Sequence, residues 1–206
     1  MRVFVVNCGS GNIRSVVKAL EHVGFSCVGV SQDPEEVKTA EVLVFPGQGA
    51  FRRAMENLTV SGMAKVILRH VESGKPFLGI CLGLQLLFER SYEHGKTEGL
   101  GVLRGEVTPL PPGVKLPHIG WNQVRIRKRS PMFEGIEDGD YFYFVHSYRV
   151  VPEESHVIAS TTDYGEEFVS AISVENLWGV QFHPEKSQRK GLRLLENFRR
   201  FCEKTL

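Results

Sequence analysis

The sequence predicts an α/β fold, with a mostly parallel central sheet flanked by helices and antiparallel strands in the second half. Three observations carry that expectation. In the first half, short apolar runs rich in β-branched residues alternate with segments of helical period. Glycine-containing turns close these runs. From about Val124 onward, strand-like runs follow one another with only short turns between them.

The first run is RVFVV, Arg2 to Val6, followed by Cys8, Gly9, Ser10 and Gly11 as a turn. Ile13, Val16, Val17, Leu20 and Val23 then recur at helical spacing until Gly24 ends the helix. CVGV (Cys27 to Val30) is a second strand, and VLVFP (Val42 to Pro46) a third, closed by Gly47, Gln48 and Gly49. Helical patterning returns from about Ala50 to His70. FLGI (Phe77 to Ile80) is a fourth strand, and Leu82 to Glu89 reads as a helix. These strands are apolar throughout, as strands covered on both faces are.

In the second half, strands are expected around Val124 to Arg127, Tyr141 to Val145, His156 to Ser160, Phe168 to Val174 and Trp178 to Phe182. Asp138-Gly139, Val151-Pro152 and Tyr164-Gly165 supply turns. Gln188 to Lys204 is a basic amphipathic helix with Leu192, Leu195, Phe198 and Phe201 on its apolar face. No repeat, linker or low-complexity segment interrupts the chain, so residues 1–206 are expected to form a single domain.

Composition narrows the function classes. The net charge is +1, which provides no global field for nucleic acid. The densest basic run, RIRKR from Arg125, alternates with apolar residues and reads as the solvated face of a strand. No apolar run approaches the roughly 20 residues of a membrane helix, and the start MRVFVVNCGS is too short for a signal sequence. Four cysteines without a CxxC pair suggest neither a disulfide scaffold nor a zinc site. A cytoplasmic protein with free thiols is expected. No HExxH or histidine pair suggests a metal, and no cofactor is expected. Gly9 to Asn12 could form a phosphate cradle, but it lacks both the Walker lysine and a full GxGxxG.

One cysteine stands apart. Gly79-Ile80-Cys81-Leu82-Gly83 has the form G-x-nucleophile-x-G, at the carboxyl end of a strand where open parallel sheets bind ligands. The glycines permit a tight turn and clear space for a substrate carbonyl. A helix starting at Leu82 would point its amides, and the positive end of its dipole, at the sulfur. The Leu82 N–H would then face an oxyanion. A buried structural cysteine is the alternative, and it is the default for Cys8, Cys27 and Cys202.

Such a nucleophile needs a base. Of seven histidines, His22, His70 and His94 fall in helical or charged surface contexts, and His156 begins a strand. His118 and His146 sit among aromatics and could line a site. His183 ends the apolar strand WGVQF and is followed by Pro184, which stops the strand. Glu185 can turn back to accept a proton from the His183 ring and fix its tautomer. Cys81, His183 and Glu185 are therefore the candidate triad.

GICLGLQLLF together with GVQFHPEKS resembles the triad (class I) glutamine amidotransferases, and Pro46-Gly47-Gln48-Gly49 is similar to their oxyanion loop. The resemblance spans essentially the whole chain and implies their flavodoxin-like fold. NCGSGNIRSV, PGQGAF, LPHIGWN and YFVHSY are most similar to the glutaminase subunits of imidazole glycerol phosphate synthases. It implies attack of Cys81 on the side-chain amide of L-glutamine, with the N–H groups of Leu82 and the Gln48 region as oxyanion hole. Gly47, Gly49, Gln85, Ser147 and Tyr148 are the implied glutamine contacts. It further implies a (β/α)8-barrel cyclase partner that receives ammonia, with Asn12, His118, Trp121, Asn122 and Lys186 as candidate contacts. Trp121 could equally be a core aromatic. A stand-alone cysteine amidase or peptidase, and a non-catalytic module on the same sheet, are the competing readings.

Overall fold

The computed structural model describes residues 1–7 and 12–206. The turn expected at Cys8, Gly9, Ser10 and Gly11, and with it the phosphate-cradle reading, lies outside the described residues. In chain order the first half contains β1 (Val3–Val6), α1 (Ile13–His22), β2 (Val28–Ser31), α2 (Pro34–Val37), β3 (Val42–Gly47), α3 (Phe51–Ser61), α4 (Met63–Glu72), β4 (Phe77–Cys81) and α5 (Leu82–Gln85). Then come β5 (Phe88–Ser91), β6 (Thr97–Glu98), β7 (Leu103–Pro109), β8 (His118–Gln123), β9 (Arg125–Ile126), β10 (Tyr141–His146) and β11 (Tyr148–Pro152). β12 (Ile158–Asp163), β13 (Glu167–Val174), β14 (Leu177–Val180) and α6 (Gln188–Thr205) complete the chain.

The main sheet runs β2-β1-β3-β4-β14-β13-β11-β7-β5-β6. From β2 to β14 every neighbour is parallel, and antiparallel pairing begins where β13 meets β14. β3 and β4 are buried at every position, which accounts for their unbroken apolar character. One face packs α1 and α6 against Val5, Val44, Leu78 and Trp178 through Leu20, Leu195 and Phe198. The other face packs α3 and α4 against Leu43, Phe45 and Phe77 through Phe51, Leu58 and Ile67. β8 and β10 stand apart as a two-stranded antiparallel ribbon, Trp121 opposite Tyr143.

Several boundaries depart from the sequence expectation. The helix expected from Ala50 to His70 is two helices, broken at Gly62, which adopts a left-handed φ of 79°. The helix expected from Leu82 to Glu89 is only the single turn α5. Leu84, Leu86, Leu87 and Phe88 are all fully buried, so this stretch has no polar face to present to water. The chain instead leaves the helix and adds β5 to β7 in parallel. Around Val124 to Arg127 only Arg125–Ile126 is strand, and the segment expected to start β12 at His156 is a 3-10 turn, Ser155–Val157. Val151-Pro152 ends β11 instead of forming a turn. Among the described residues no helix is long and apolar enough to cross a membrane.

Candidate active site

The sheet order brings three strand ends together. Gly47 at the end of β3 lies opposite Cys81 at the end of β4, and Val180 at the end of β14 lies opposite Ile80. The segment after Val180 therefore emerges beside Cys81. Cys81 itself adopts φ 55° and ψ −109°, a conformation that costs a side-chain-bearing residue roughly 1–3 kcal/mol. This is the sharp elbow expected of G-x-nucleophile-x-G. Its tightness depends on Gly83, where an added Cβ would lie 1.7 Å from the Phe45 carbonyl oxygen. The sulfur is 3.8 Å from the Val145 carbonyl and 3.5 Å from Gln181 Nε2.

His183 is held by its backbone N–H, which donates to the Tyr143 carbonyl at 2.8 Å. Ser187 Oγ ties the same turn to β10, accepting from the Tyr143 N–H and donating to the His183 carbonyl. His183 Nδ1 lies 2.8 Å from Glu185 Oε1, and both side chains are almost fully buried. A carboxylate can only accept, so Nδ1–H donates and Nε2 is the free end of the ring. That Nε2 is buried and makes no close hydrogen bond among the described residues. Burial works against charge on the ring, but the neighbouring Cys81 and Glu185 outweigh it and push the His183 pKa up to about 10. The imidazolium form is thus favoured at neutral pH.

A cavity of about 690 Å³ opens onto the sulfur, lined by Gln48, Gly49, Cys81, Leu82 and Gln85 on one side and by Tyr143, Val145, His146, Ser147, Tyr148 and Lys186 on the other. Its volume is in the range of small-molecule sites. Gln85 is buried, its Nε2 donating to the Tyr148 carbonyl and to Gln181 Oε1, each at 3.0 Å. Gly49 has a φ of 105°, as a turn between β3 and α3 requires. Gly47, expected as a ligand contact, does not line the cavity. It is buried against Leu82, whose Cβ an added side chain would meet at 2.9 Å.

The candidate partner contacts divide. Asn12 is exposed and caps α1, accepting from the Ser15 N–H. Trp121 is 45% exposed and stands edge-on to Tyr143, so it is not a core residue. Lys186 lies over the Tyr143 ring, 5.7 Å from its centre, at the cavity mouth. Asn122 is half-buried and donates to the Asp163 carbonyl. His118 is a correction, because it is buried among Phe144, His146, Tyr164 and Phe168 and offers no surface. His70, expected at a surface, is buried too and bonds to the Pro76 carbonyl.

Two residues of the site were not anticipated. Glu93 lines the cavity and accepts from the Phe51 N–H at 2.6 Å. It follows β5 in a stretch with no recognisable motif. Gln181 had a legible signal, as the one amide in the apolar run WGVQF, two residues before His183. Among the described residues no group of three or more His, Cys, Asp or Glu side chains could hold a metal.

A cysteine at a parallel-sheet elbow, with a buried histidine–glutamate pair on the segment that emerges beside it, is a combination that amide-cleaving thiol enzymes use. The family model described as "Glutamine amidotransferase class-I" matches residues 4–201, and the chain belongs to that family. Within it, the chain is 61% identical over 204 residues to "Imidazole glycerol phosphate synthase subunit HisH" of Aquifex aeolicus (strain VF5), covering 99% of each. The protein of the same name from Syntrophotalea carbinolica (strain DSM 2380 / NBRC 103641 / GraBd1) is 50% identical, covering 95% of this chain and 98% of that one. Among solved structures, PurLQS from Thermotoga maritima superposes with a TM-score of 0.77 at 20% identity, over 97% of this chain and 98% of that chain, a likeness of fold.

Proposed function

We propose that the chain is the glutaminase subunit of an imidazole glycerol phosphate synthase, acting in histidine biosynthesis. It hydrolyses L-glutamine to glutamate and ammonia. The observation that carries this reading is the buried His183–Glu185 pair beside the strained Cys81, in a chain 61% identical to a HisH subunit.

The Cys81 thiolate attacks the side-chain amide carbon of glutamine. The backbone N–H of Leu82 and one from the Gln48 region stabilise the resulting oxyanion, and loss of one such donor costs about 3 kcal/mol. His183, protonated at Nε2, gives its proton to the departing ammonia, leaving a glutamyl thioester. Its neutral ring then takes a proton from water, which attacks the thioester and releases glutamate and the thiol. Glu185 holds the ring in the productive tautomer throughout. Gln85, Ser147 and Tyr148 contact the amino-acid part of glutamine. The Glu93 carboxylate is placed to receive its ammonium group. The chemistry calls for no cofactor.

Ammonia released into water at neutral pH becomes ammonium and is lost to synthesis, so the site needs a sheltered acceptor. The partner is the (β/α)8-barrel cyclase subunit, which uses the ammonia to make imidazole glycerol phosphate and an aminoimidazole carboxamide ribotide in the cytoplasm. The β8–β10 ribbon supports a docking face beside the cavity mouth, because Ile119, Trp121 and Tyr141 are exposed on it at 59%, 45% and 54%. The other contacts are Asn12, Asn122 and Lys186.

The test uses Cys81→Ala in complex with the cyclase. Glutamine-dependent synthesis should vanish while synthesis from added ammonium salt persists. A glutamine-analogue diazoketone should label Cys81 in the unmodified chain. Retained glutamine hydrolysis in the variant would refute the nucleophile.

A further inference from the structure

The mechanism above leaves Gln181 without a task, although it is fully buried and its side-chain nitrogen is 3.5 Å from the Cys81 sulfur. Which of its two side-chain atoms faces the sulfur decides what it can do. The orientation follows from one group that cannot be reversed. Tyr148 O is a backbone carbonyl and can only accept. The Gln85 atom 3.0 Å from it is therefore the amide nitrogen. That same nitrogen is 3.0 Å from Gln181, so Gln181 presents its oxygen there and its Nε2 to the sulfur. The Tyr148 carbonyl is itself held by His146, whose Nδ1–H donates to it at 2.8 Å. His146 Nε2 then accepts from His118 Nδ1–H at 3.0 Å, and His118 Nε2 accepts from Asn122 at 3.3 Å. Two donor series meet at the Tyr148 carbonyl, one from His146 and one from Gln85, and the second donor of Gln85 continues through Gln181 to the sulfur.

Resting on the glutaminase reading, we infer that Gln181 is a positioning residue whose amide N–H, locked in orientation by Gln85 and the Tyr148 carbonyl, holds the Cys81 sulfur in its thiolate form. Another protein group at the sulfur is the Val145 carbonyl at 3.8 Å, which accepts from the neutral thiol and repels the anion. Gln181 offsets that repulsion, since a donor to the charged form favours it. Its backbone N–H donates to Ser170 O at 2.9 Å, fixing it at the end of β14. The titratable and charged groups around the sulfur are His183 and Glu185 beyond β14, His146 and Tyr148 from the opposite wall, and Lys186, Tyr143, Glu93 and His94 along the cavity.

The experiment is alkylation by iodoacetamide in the absence of glutamine, followed residue by residue by peptide mass spectrometry across pH 5 to 9. Iodoacetamide reacts with the thiolate and needs no bound glutamine, so glutamine binding does not enter. Exposed Cys27 serves as the internal control. The readout is the ratio of the Cys81 rate to the Cys27 rate, which cancels reagent and bulk-pH effects and is compared between the wild type and each variant. Gln181→Met should slow Cys81 labelling about tenfold at pH 7 by moving its rate–pH profile upward by about one pH unit, a shift in the range a lost donor to a charged group produces. Gln181→Glu, which sets an acceptor-only carboxylate against the sulfur, should slow it further. Gln85→Leu, which frees the Gln181 amide to turn, should move the profile in the same direction and serves if the Gln181 variants fail to fold. With the cyclase bound, Gln181→Met should lower kcat with KM for glutamine little changed. Wild-type labelling rates and profiles in the folded variants would overturn the positioning role while leaving Cys81 as nucleophile. A wild-type Cys81 that neither iodoacetamide nor the diazoketone labels at any pH in this range would overturn the nucleophile and, with it, this inference.

Discussion

Gly83→Ala perturbs the elbow without adding or removing a polar group. A Cβ built at Gly83 lies 1.7 Å from the Phe45 carbonyl oxygen and 2.8 Å from its carbon. Ordinary contacts between carbon and a carbonyl oxygen begin near about 3.3 Å, so roughly 1.6 Å of separation must be found. Phe45 cannot supply it. It sits within β3, paired to β4 at Gly79 and flanked through β3 by β1. The single turn α5 is the element that must move, and Cys81 and the Leu82 amide move with it. Overpacking of this kind costs about 1–3 kcal/mol, which lowers Tm by several degrees in a chain of this size. The kinetic effect is larger, because a displacement of about 1 Å in a reacting group can cost about 100-fold. Calorimetry and glutamate release in the presence of the cyclase subunit measure the two effects. Gly74→Ala is the control. It carries a left-handed φ of 73°, which Gly83 does not, but an added Cβ there meets nothing, so it should lower Tm and leave turnover intact. A Gly83→Ala protein with wild-type Tm and wild-type turnover would contradict the close approach from which the elbow was derived.

Glu185→Gln should keep the fold and lower kcat by about 10³–10⁴-fold, since an amide carries no charge and can turn its NH2 to the ring, so the tautomer is no longer held; steady-state kinetics on the complex checks this. Acid should destabilise the protein through its buried neutral histidines. Burial lowers the pKa of His70 to about 4 and of His118 to about 4. His146 falls to about 3, through burial and the nearby His118 and His183. Each is depressed in the folded state, so its contribution is complete above the unfolded value near 6.5 and is lost as pH falls toward 4 and 3. By pH 5 His70 alone accounts for roughly 2 kcal/mol, and His70→Gln, which can still donate to the Pro76 carbonyl, should flatten the fall in Tm between pH 7 and 5. Trp121→Ala should weaken binding of the cyclase subunit at least tenfold, as loss of an exposed aromatic anchor does, with the Tm of the free subunit nearly unchanged.

The elements most legible in the sequence are those whose burial is simplest. β3 and β4 are covered on both faces, so their apolar runs could be read directly. α6 has one buried stripe, and its expected span differs from the observed one by a single residue. What escaped were strands whose surroundings alternate. β7 carries an exposed Arg104 and a half-buried Glu106 beside the buried Gly105 and Val107, and β8 exposes Ile119 and Trp121 while burying His118. Such a pattern resembles a loop until its partner strand is known. The triad candidates were legible because each sits at a strand end flanked by residues that break regular structure, Gly79 and Gly83 for Cys81 and Pro184 for His183. Glu93 had no such punctuation. It reaches the cavity only because the short turn after Gln85 sends the chain into β5.

The shortness of α5 also changes the source of the sulfur's activation. The sequence favoured a helix dipole behind Cys81. A macrodipole needs several aligned turns, and one turn, Leu82–Gln85, supplies little more than its own amides. Those amides remain useful as oxyanion donors, which act by local geometry. The positive charge must come from elsewhere, and the only strongly perturbed cation beside the sulfur among the described residues is His183, pushed up by Cys81 and Glu185 together. The site is therefore divided between the two halves of the chain. In the proposed mechanism the first half contributes the nucleophile and the oxyanion donors on the parallel sheet, and the second half contributes the charge, through His183, and the orientation, through Gln181 and the Tyr148 carbonyl. β14 joins them, parallel to β4 on one side and antiparallel to β13 on the other. A one-residue slip of β14 against β4 would carry His183 and Gln181 away from Cys81 together, since alternate residues would exchange faces. Gly179, where an added Cβ would come within 2.6 Å of Leu84 and 2.9 Å of Ile172, keeps β14 packed under the elbow in the register that prevents this.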